Sequence, residues 1–532
     1  NLCEAFASQI VVKPDGVGIT DATKEFECFT ATAEGTSKGR RLLPASPNII
    51  LEGENNVYIS GTGNDANSGV SPTTAVRTFK RAKELLETGI YTKGAKILVC
   101  GEIEVKEGDN VWSFGENGTV TNTVTGDTWT PLVQRYEQYE GRLISLSPNT
   151  MGDDTEFLLE NIIIDGNGES NAISSASKEI QLIYVGTGMT AQIGKGAVLQ
   201  NNYCSSTWDA SGIGNLGVKV DGGVLDVNGG LISDMYYKTP SATGARGKQG
   251  IAIYCINSGE VLIRDGSIEN IRFESGNFVT SASIIYMGPG TKFSMVGGII
   301  EKNELDFTKT AVTRGIKETG IIHINDAVAN INAGLIRNNS SIKGAAIYYS
   351  GTAPLTLSGG KIDKNKVVDE NPIGKYSPIY IDGTNFRING GGAILDDAIY
   401  LNSVEKPITV TNNIWQTTRR YTVYLNQGSE ADQFKKGSVV VQPDNNMLTD
   451  ASPYLQNFEV HSDKYILDRG QSETRSGGTI AGVKENKCLL LMQAVFIDSD
   501  NGNNNNTGFS PVQAVETFKE AVIKGRAEGE EG

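Results

Sequence analysis

"IYMGPGTKFSMVGGIIEKN", residues 285–303, carries the pattern on which the whole chain turns. Read from Ile284, it holds three short β-prone runs, "IIYM", "KFSM" and "IIEKN", separated by glycine turns. Glycine takes positive φ without steric cost, so it punctuates strands tightly. Within a run the apolar residues alternate, the period of a half-buried strand.

The pattern returns along the chain. "IYVGTGMTAQIGKGAV" (183–198), "IYCINSGEVLIRDGSI" (253–268), "IYYSGTAPLTLSGGKI" (347–362) and "IYIDGTNFRINGGGAI" (379–394) share its spacing. With two looser copies, the glycines are Gly196, Gly230, Gly266, Gly298, Gly334, Gly360 and Gly392. Twelve positions earlier stand Tyr184, Val218, Tyr254, Tyr286, Ile322, Tyr348 and Tyr380. Two positions later stand Val198, Ile232, Ile268, Ile300, Ile336, Ile362 and Ile394. The six intervals between 196 and 392 average about 33 residues. Such short strands cannot bury a face alone. Stacked coil on coil at about 4.8 Å they pair in parallel and enclose one core. The spacing therefore predicts an all-β, right-handed parallel β-helix of about ten three-sided coils, with insertions after the third strand. An Asn or Asp four or five residues after each glycine (Asn201, Asp234, Asn270, Asn303, Asn339, Asn365, Asp397) reads as a turn ladder.

A longer repeat encloses the short one. "VYISGTGNDANSGVSPTTAVRTF" (57–79) has a cousin in "VFIDSDNGNNNNTGFSPVQAVETF" (495–518), with Pro72 and Pro511 set 439 residues apart. "IVVKPDGVGITDA" (10–22) pairs independently with "VVVQPDNNMLTDA" (439–451), 429 residues on. Residues 1–50 thus read as the tail of one unit and 495–532 as the head of another. Between them lie a β-helix over 51–405 and a β-rich closing and linking module over 406–494. The chain reads as a window cut from a tandem array. Ser71 as N-cap and Pro72 at the first helical position predict an amphipathic helix near 72–87. It would cover the open end of the first coil.

Composition narrows the partners. Against 47 Lys and Arg stand 62 Asp and Glu, a net charge of −15. That argues against nucleic acid or an anionic membrane surface as partner. No apolar run is long enough to span a bilayer, and "NLCEAFASQIVVKPDG" lacks the features of a signal peptide. The cysteines at 3, 28, 100, 204, 255 and 488 have no CxxC or zinc spacing. Cys3 and Cys28 are placed for a local disulfide; buried thiols are the favoured reading for the rest.

The chain resembles the large repetitive β-helix surface proteins of bacteria, within the pectin-lyase-like superfamily. The opening "GNDANSG…SP…AVRTFKRA", the coil "FSMVGGIIEKN" and the exit "GSVVVQPDNN…TDAS" carry the likeness, which spans essentially the whole chain. The superfamily includes lyases, hydrolases, adhesins and tailspikes, so it implies a fold and leaves the activity to the residues. The resemblance implies an extracellular, cell-surface structural and adhesive module. Its expected partners are neighbouring copies of its own unit, and surface glycans or other cells. The alternative is a polysaccharide lyase or glycoside hydrolase. Pectate-lyase-like sites cluster Asp around calcium with an Arg or Lys base, and polygalacturonase-like sites need converging Asp. Here the paired Asp396 and Asp397 are the catalytic candidates, but neighbours on a strand face opposite ways, and Asp397 also fits the turn ladder. His323 reads as a wall residue. No cofactor is expected, apart from Ca²⁺ as a candidate. Asp498 and Asp500, and Asn64 and Asp65 in the first copy, offer the alternating oxygens that Ca²⁺ prefers; a tight Asn/Gly turn is the favoured reading of both loops. Trp112, Trp129 and Trp208 serve either packing or sugar stacking, and sequons stand at Asn117, Asn338, Asn339 and Asn505.

Overall fold

A computed structural model describes residues 10–12, 49–51, 56–87, 96–105, 112–114, 122–126, 131–137, 139–147, 155–168, 179–205, 215–239, 249–275, 281–307, 318–368, 378–390, 392–412, 420–426, 434–444, 456–462, 464–470 and 488–527. Cys3, Cys28, Asn117, Trp129 and Trp208 lie outside them.

The fold is a parallel β-solenoid. The tyrosine-bearing runs stack into one wall of twelve parallel strands, from Trp112–Phe114 to Phe458–His461. Neighbours are joined in register, as in Ile253↔Ile285, Tyr254↔Tyr286 and Cys255↔Met287. A second wall holds both of the other runs recognised in the sequence. Lys292–Glu301 is one continuous strand that bends at Gly297–Gly298, and the strands on either side bend with it. Gly298 has φ +75°, and a Cβ on Gly297 would lie 2.0 Å from the carbonyl oxygen of Arg264. Only glycine fits that approach.

The third wall comes from a run that the sequence pattern did not reveal. Glu304–Asp306 follows directly on Asn303 and stacks between Arg272–Glu274 and Ser340–Ser341. Its strands have three residues or fewer and one inward side chain each, such as Phe273 or Leu305. So short and polar a segment shows no periodicity. Only six strands stack here, ending at Lys366–Val367. The solenoid makes about seven turns, fewer than the ten or so expected from length.

The corner before the third wall resolves the Asn/Asp ladder into two columns. Asn201, Asp234, Asn270, Lys302, Asn338 and Lys364 all take positive φ, between 51° and 59°. The next residue in each coil (Asn202, Met235, Ile271, Asn303, Asn339, Asn365) turns inward and is buried. The expected single ladder mixed the two columns, because it took an Asn or Asp either four or five residues after the glycine, and that residue is the corner in some coils and the inward residue beside it in others.

The parallel walls run past residue 405 through Ile408–Asn412, Tyr421–Leu425, Val439–Pro443 and Phe458–His461. Beyond them an antiparallel pair, Tyr465–Gly470 with Cys488–Gln493, adds to the edge of Val439–Pro443.

At the other end lies a correction to the expected helix. Pro72–Thr74 is a single 3₁₀ turn, and the α-helix spans only Phe79–Glu87. Ala75 is extended, and Val76 donates its N–H to Tyr58 O at 2.9 Å, so the chain pauses as strand before the helix begins. The N-cap is Thr78, whose Oγ1 accepts Arg81 N at 3.1 Å. Phe79, Ala82, Leu85 and Leu86 then join Ile97, Val99 and Ile103 in the core, over the first coil.

Inside, equal positions stack. One column runs Leu225, Val261, Phe293, Ala329, Leu355, Phe386, each almost fully buried. Large and small residues alternate, so Phe293 fills the space above Ala329. Phe293→Ala is expected to cost about 3–5 kcal/mol through the cavity it leaves. Because coils touch only their neighbours, hydrogen exchange should rise first in residues 253–337 and least at the two ends. Uniform loss of protection would contradict this stacking.

Candidate functional site

The outer face of the tyrosine wall is the most chemically dense surface among the described residues. Its register places Tyr184, Lys219, Tyr254, Tyr286, His323, Tyr348, Tyr380, Tyr400, Tyr424 and His461 in one column. All five tyrosines expected in a ladder are in it. Val218 and Ile322 are not: the side chains that occupy those rungs are Lys219 and His323, one residue later. Inward-facing Val218 and Ile322 belong to the core. The glycine column is similarly in step through Gly230, Gly266, Gly298, Gly334 and Gly360. Counted from the pairs Val198↔Leu231 and Lys361↔Ile394, Gly196 and Gly392 fall one step away.

The rings spend their faces on one another. Tyr254 and Tyr286 stack at 5.3 Å between centroids, Tyr348 and Tyr380 at 5.4 Å, and Tyr380 and Tyr400 at 4.8 Å. His323 fits edge-on between Tyr286 and Tyr348, at 5.2 and 4.9 Å. Arg142 and Lys219 sit over the ring of Tyr184, and Lys343 over those of Tyr348 and Tyr380. A sugar needs an open ring face, and between stacked rungs this column offers ring edges.

A second column, two residues on, binds the hydroxyls. Tyr184 donates to Asp221 at 3.3 Å, Tyr348 to Asp382 at 3.2 Å and Tyr380 to Asn402 at 2.8 Å. Tyr286 accepts from Asn325 at 2.8 Å. Asp382 also receives Asn402 Nδ2 at 2.8 Å and Lys406 Nζ at 3.0 Å. Burial alone would raise the pKa of Asp382, but these donors outweigh it and the net shift is downward.

His323 is fully buried, with Nδ1 3.4 Å from Gln249 Oε1 and Nε2 3.3 Å from the Ser350 hydroxyl. Burial pushes its pKa down to about 3, and the charge of Lys343 acts in the same direction. Lys343 itself is pulled down to about 8 by burial, against the opposing pull of Asp382 and Glu318. A neutral, enclosed imidazole is a wall residue, as its sequence context suggested.

The catalytic candidates diverge. Asp396 points out to Lys361, 3.0 Å away, and its side chain is 56% exposed. Asp397 turns in and ends an amide ladder. Asn303 Nδ2 donates to Asn339 Oδ1 at 3.0 Å, Asn339 Nδ2 to Asn365 Oδ1 at 2.9 Å, and Asn365 Nδ2 to Asp397 Oδ2 at 2.6 Å. Each acceptor oxygen also takes a backbone N–H from the coil before. Burial raises the pKa of Asp397 despite the bonds from Asn365. Asp396 and Asp397 follow the second wall whereas His323 stands on the tyrosine wall, so the three do not meet. The ladder also closes the Asn339 sequon, since that amide is buried; Asn338 and Asn505 are exposed.

The two Asn/Asp loops are the same structure. Asp65 Oδ1 accepts Arg77 N and Thr78 N at 2.8 and 2.9 Å; 439 residues later Asn504 Oδ1 accepts Glu516 N and Thr517 N, both at 3.0 Å. Asn64 and Asn503 each accept an N–H two residues on, and Asn67 and Asn506 each donate to a carbonyl eight residues on, at 2.9 Å. Asp498 accepts Asp500 N and Asn501 N at 3.0 Å, which hold its pKa down. Oxygens of Asn64, Asp65 and Asp498 are thus turned to their own backbone, and Asp500 Oδ1 accepts from the Ser499 hydroxyl at 3.3 Å. Asp498 takes the place of Ser60, and Asp500 lies in the stretch before Gly502 that is one residue longer than in the first copy; the counterparts of Asn64 and Asp65 are Asn503 and Asn504. Among the described residues no three His, Cys, Asp or Glu are grouped to hold a metal ion. Cys100, Cys204, Cys255 and Cys488 are all buried, and burial pushes the Cys255 thiol up to about 12.

The N-terminal pair repeats as well. Ile10↔Leu51 and Val12↔Ile49 pair antiparallel. Val439 and Leu490, the residues 429 and 439 positions on, pair the same way. Compared with family models, curated proteins and solved structures, the chain matches none.

Two pH effects of opposite sign follow. His323 is depressed below its unfolded value near 6.5, so the fold should lose stability as pH falls from about 6.5 toward 3. His323→Tyr, which continues the column, should flatten that slope in urea unfolding measured across pH. Asp397 is raised, so its carboxylate opposes folding at neutral pH and ceases to do so in acid. Asp397→Asn keeps an acceptor for Asn365 and should raise stability at pH 7, a gain that fades toward pH 3. Destabilisation by that substitution at pH 7 would show the charge to be needed.

Proposed function

We propose that this chain is a non-catalytic structural and adhesive repeat module of a large extracellular, cell-surface or fibre-forming protein. Its partners are neighbouring copies of its own unit, with surface glycans or other cells met through its loops. Residues 1–50 close a preceding unit, 51–405 form the rod, 406–494 link, and 495–532 open the next. One observation carries this reading: the opening motif at 57–79 and the motif at 495–518 share their hydrogen bonds donor for donor. Tyr58 N→Gly69 O at 2.7 Å has its counterpart in Phe496 N→Gly508 O at 2.8 Å, and Asn64 N→Ala75 O at 3.1 Å in Asn503 N→Ala514 O at 3.0 Å. A solenoid so repeated extends along one axis, each unit stabilised by its own coils and its neighbours.

The outer surface supports the same reading. Its tyrosines, acids and amides bond to one another, and Asp396 and Asp397 face apart. The test is direct. Incubated with polygalacturonate and related acidic glycans, the chain should release neither unsaturated nor reducing ends. Release of either, abolished by Asp396→Asn or Asp397→Asn, would replace this reading with a pectin-lyase-like lyase or hydrolase. Small-angle scattering of a two-unit chain should give about twice the long dimension of one unit.

A further inference from the structure

The two copies of the opening motif share their bonds but not their burial. Phe79 is 3% exposed and its counterpart Phe518 is 75% exposed. Ile59, in the strand Asn56–Ile59, is fully buried, whereas its counterpart Ile497 is 44% exposed. Yet the loop of the second copy is fully formed. Its 3₁₀ turn at Pro511–Gln513, its capping Thr517 and its parallel bridge Ile497↔Val515 all repeat the first copy.

What differs is the neighbour. In the first copy Asn56–Ile59 pairs in parallel with Lys96–Val99, and Cys100 N donates to Ile59 O at 2.8 Å. Gly61 N donates to Glu102 O at 3.2 Å, and Ile97, Val99 and Ile103 pack against Phe79 and Ala82 within one core. The extended edge recurs at Val495–Asp498 and the helix keeps Phe518 and Ala521 in place of Phe79 and Ala82, with Lys524 and Gly525 where Leu85 and Leu86 stood, and no rung is set against them among the described residues.

We infer that Val495–Ala527 is a preformed cap whose extended edge at Val495–Asp498 and apolar side chains Ile497 and Phe518 dock a parallel β rung of the Lys96–Val105 kind, the first coil of a following unit. The chemistry of that rung is set by the first copy: two four-residue strands, "KILV" and "EIEV", with alternate aliphatic side chains turned toward the helix. The cap folds through its own loop bonds before the rung arrives, so each unit begins on a template already shaped. The source of the rung rests on the tandem reading above; the docking itself rests on the matched bonds and unmatched burial.

The test uses the 532-residue chain and a two-unit chain made by repeating residues 94–494 after Gly532. In the single chain, Phe518→Asp should leave the unfolding midpoint unchanged, while Phe79→Asp lowers it by several degrees. In the two-unit chain, amides at 496–498 should exchange at least about tenfold more slowly than in the single chain, about 1.4 kcal/mol of protection. Phe518→Asp should abolish that gain. Val512→Asp, at an 86%-exposed position whose counterpart Thr73 is also exposed, should not. Unchanged exchange at 496–498 overturns the inference. So does self-association of the single chain that Phe518→Asp reverses without any gain in the two-unit chain, because the occupant is then a second copy. Scattering separates the two readings. A folded-back two-unit chain with protected 496–498 sinks the rod and leaves the docking; an extended one with exposed Phe518 does the reverse.

Discussion

Everything in this protein follows from coil-on-coil pairing in parallel register. Each residue then has, above and below it, the residue at the same place in the next coil. A side chain is selected by whether it can stack on its own kind. Aliphatic residues do this without cost, as in the column through Val261 and Phe293. Tyrosine does it by offset stacking. Asparagine does it best of all at a buried corner. One amide carries both a donor and an acceptor, so a row of them satisfies itself indefinitely. Asn303, Asn339 and Asn365 do this, each also giving a hydrogen to a carbonyl such as Ile268 O, Ile300 O or Ile336 O. A row of carboxylates there would repel, and a single one can only end the row, which is where Asp397 stands.

The same rule accounts for the outside of the tyrosine wall. Hydroxyls, acids and amides that might elsewhere assemble a reactive centre are here tied to their equivalents in adjacent coils. Tyr380 to Asn402, Asn402 to Asp382 and Lys406 to Asp382 form a continuous seam. Such a surface gives rigidity and resists local opening, because no rung leaves without breaking bonds on both sides.

The duplicated opening motif separates what a loop determines from what a neighbour supplies. Asp65 and Asn504 differ in charge, yet both present one oxygen to two backbone N–H groups at a helix start. Ser60 and Asp498 differ, yet each donates its backbone N–H at 2.9 Å to the carbonyl of the equivalent valine, Val76 or Val515. The turn chemistry is local and copies itself. Burial of the helix face is not local, and it differs between the copies.

Much of this was legible in the chain before any coordinates. The glycine and tyrosine spacing, the alternation within runs and the doubled opening motif specify a parallel solenoid, because strand period, turn chemistry and repeat length are all properties of short stretches. Four features were not legible. The third wall is too short and polar to show a period. Thr78, and not Ser71, starts the helix because Val76 first pairs with the distant strand Asn56–Ile59. Lys219 and His323 replace tyrosine in the column one residue off the expected spacing, since coils vary in length and only pairing fixes register. The buried Asn corner and the exposed left-handed corner looked like one ladder, because a linear count cannot tell which of two adjacent residues turns inward. Local stretches thus determined the kind of structure, whereas the choice of which neighbour each side chain meets, and so its burial and protonation, was made only when distant coils were stacked.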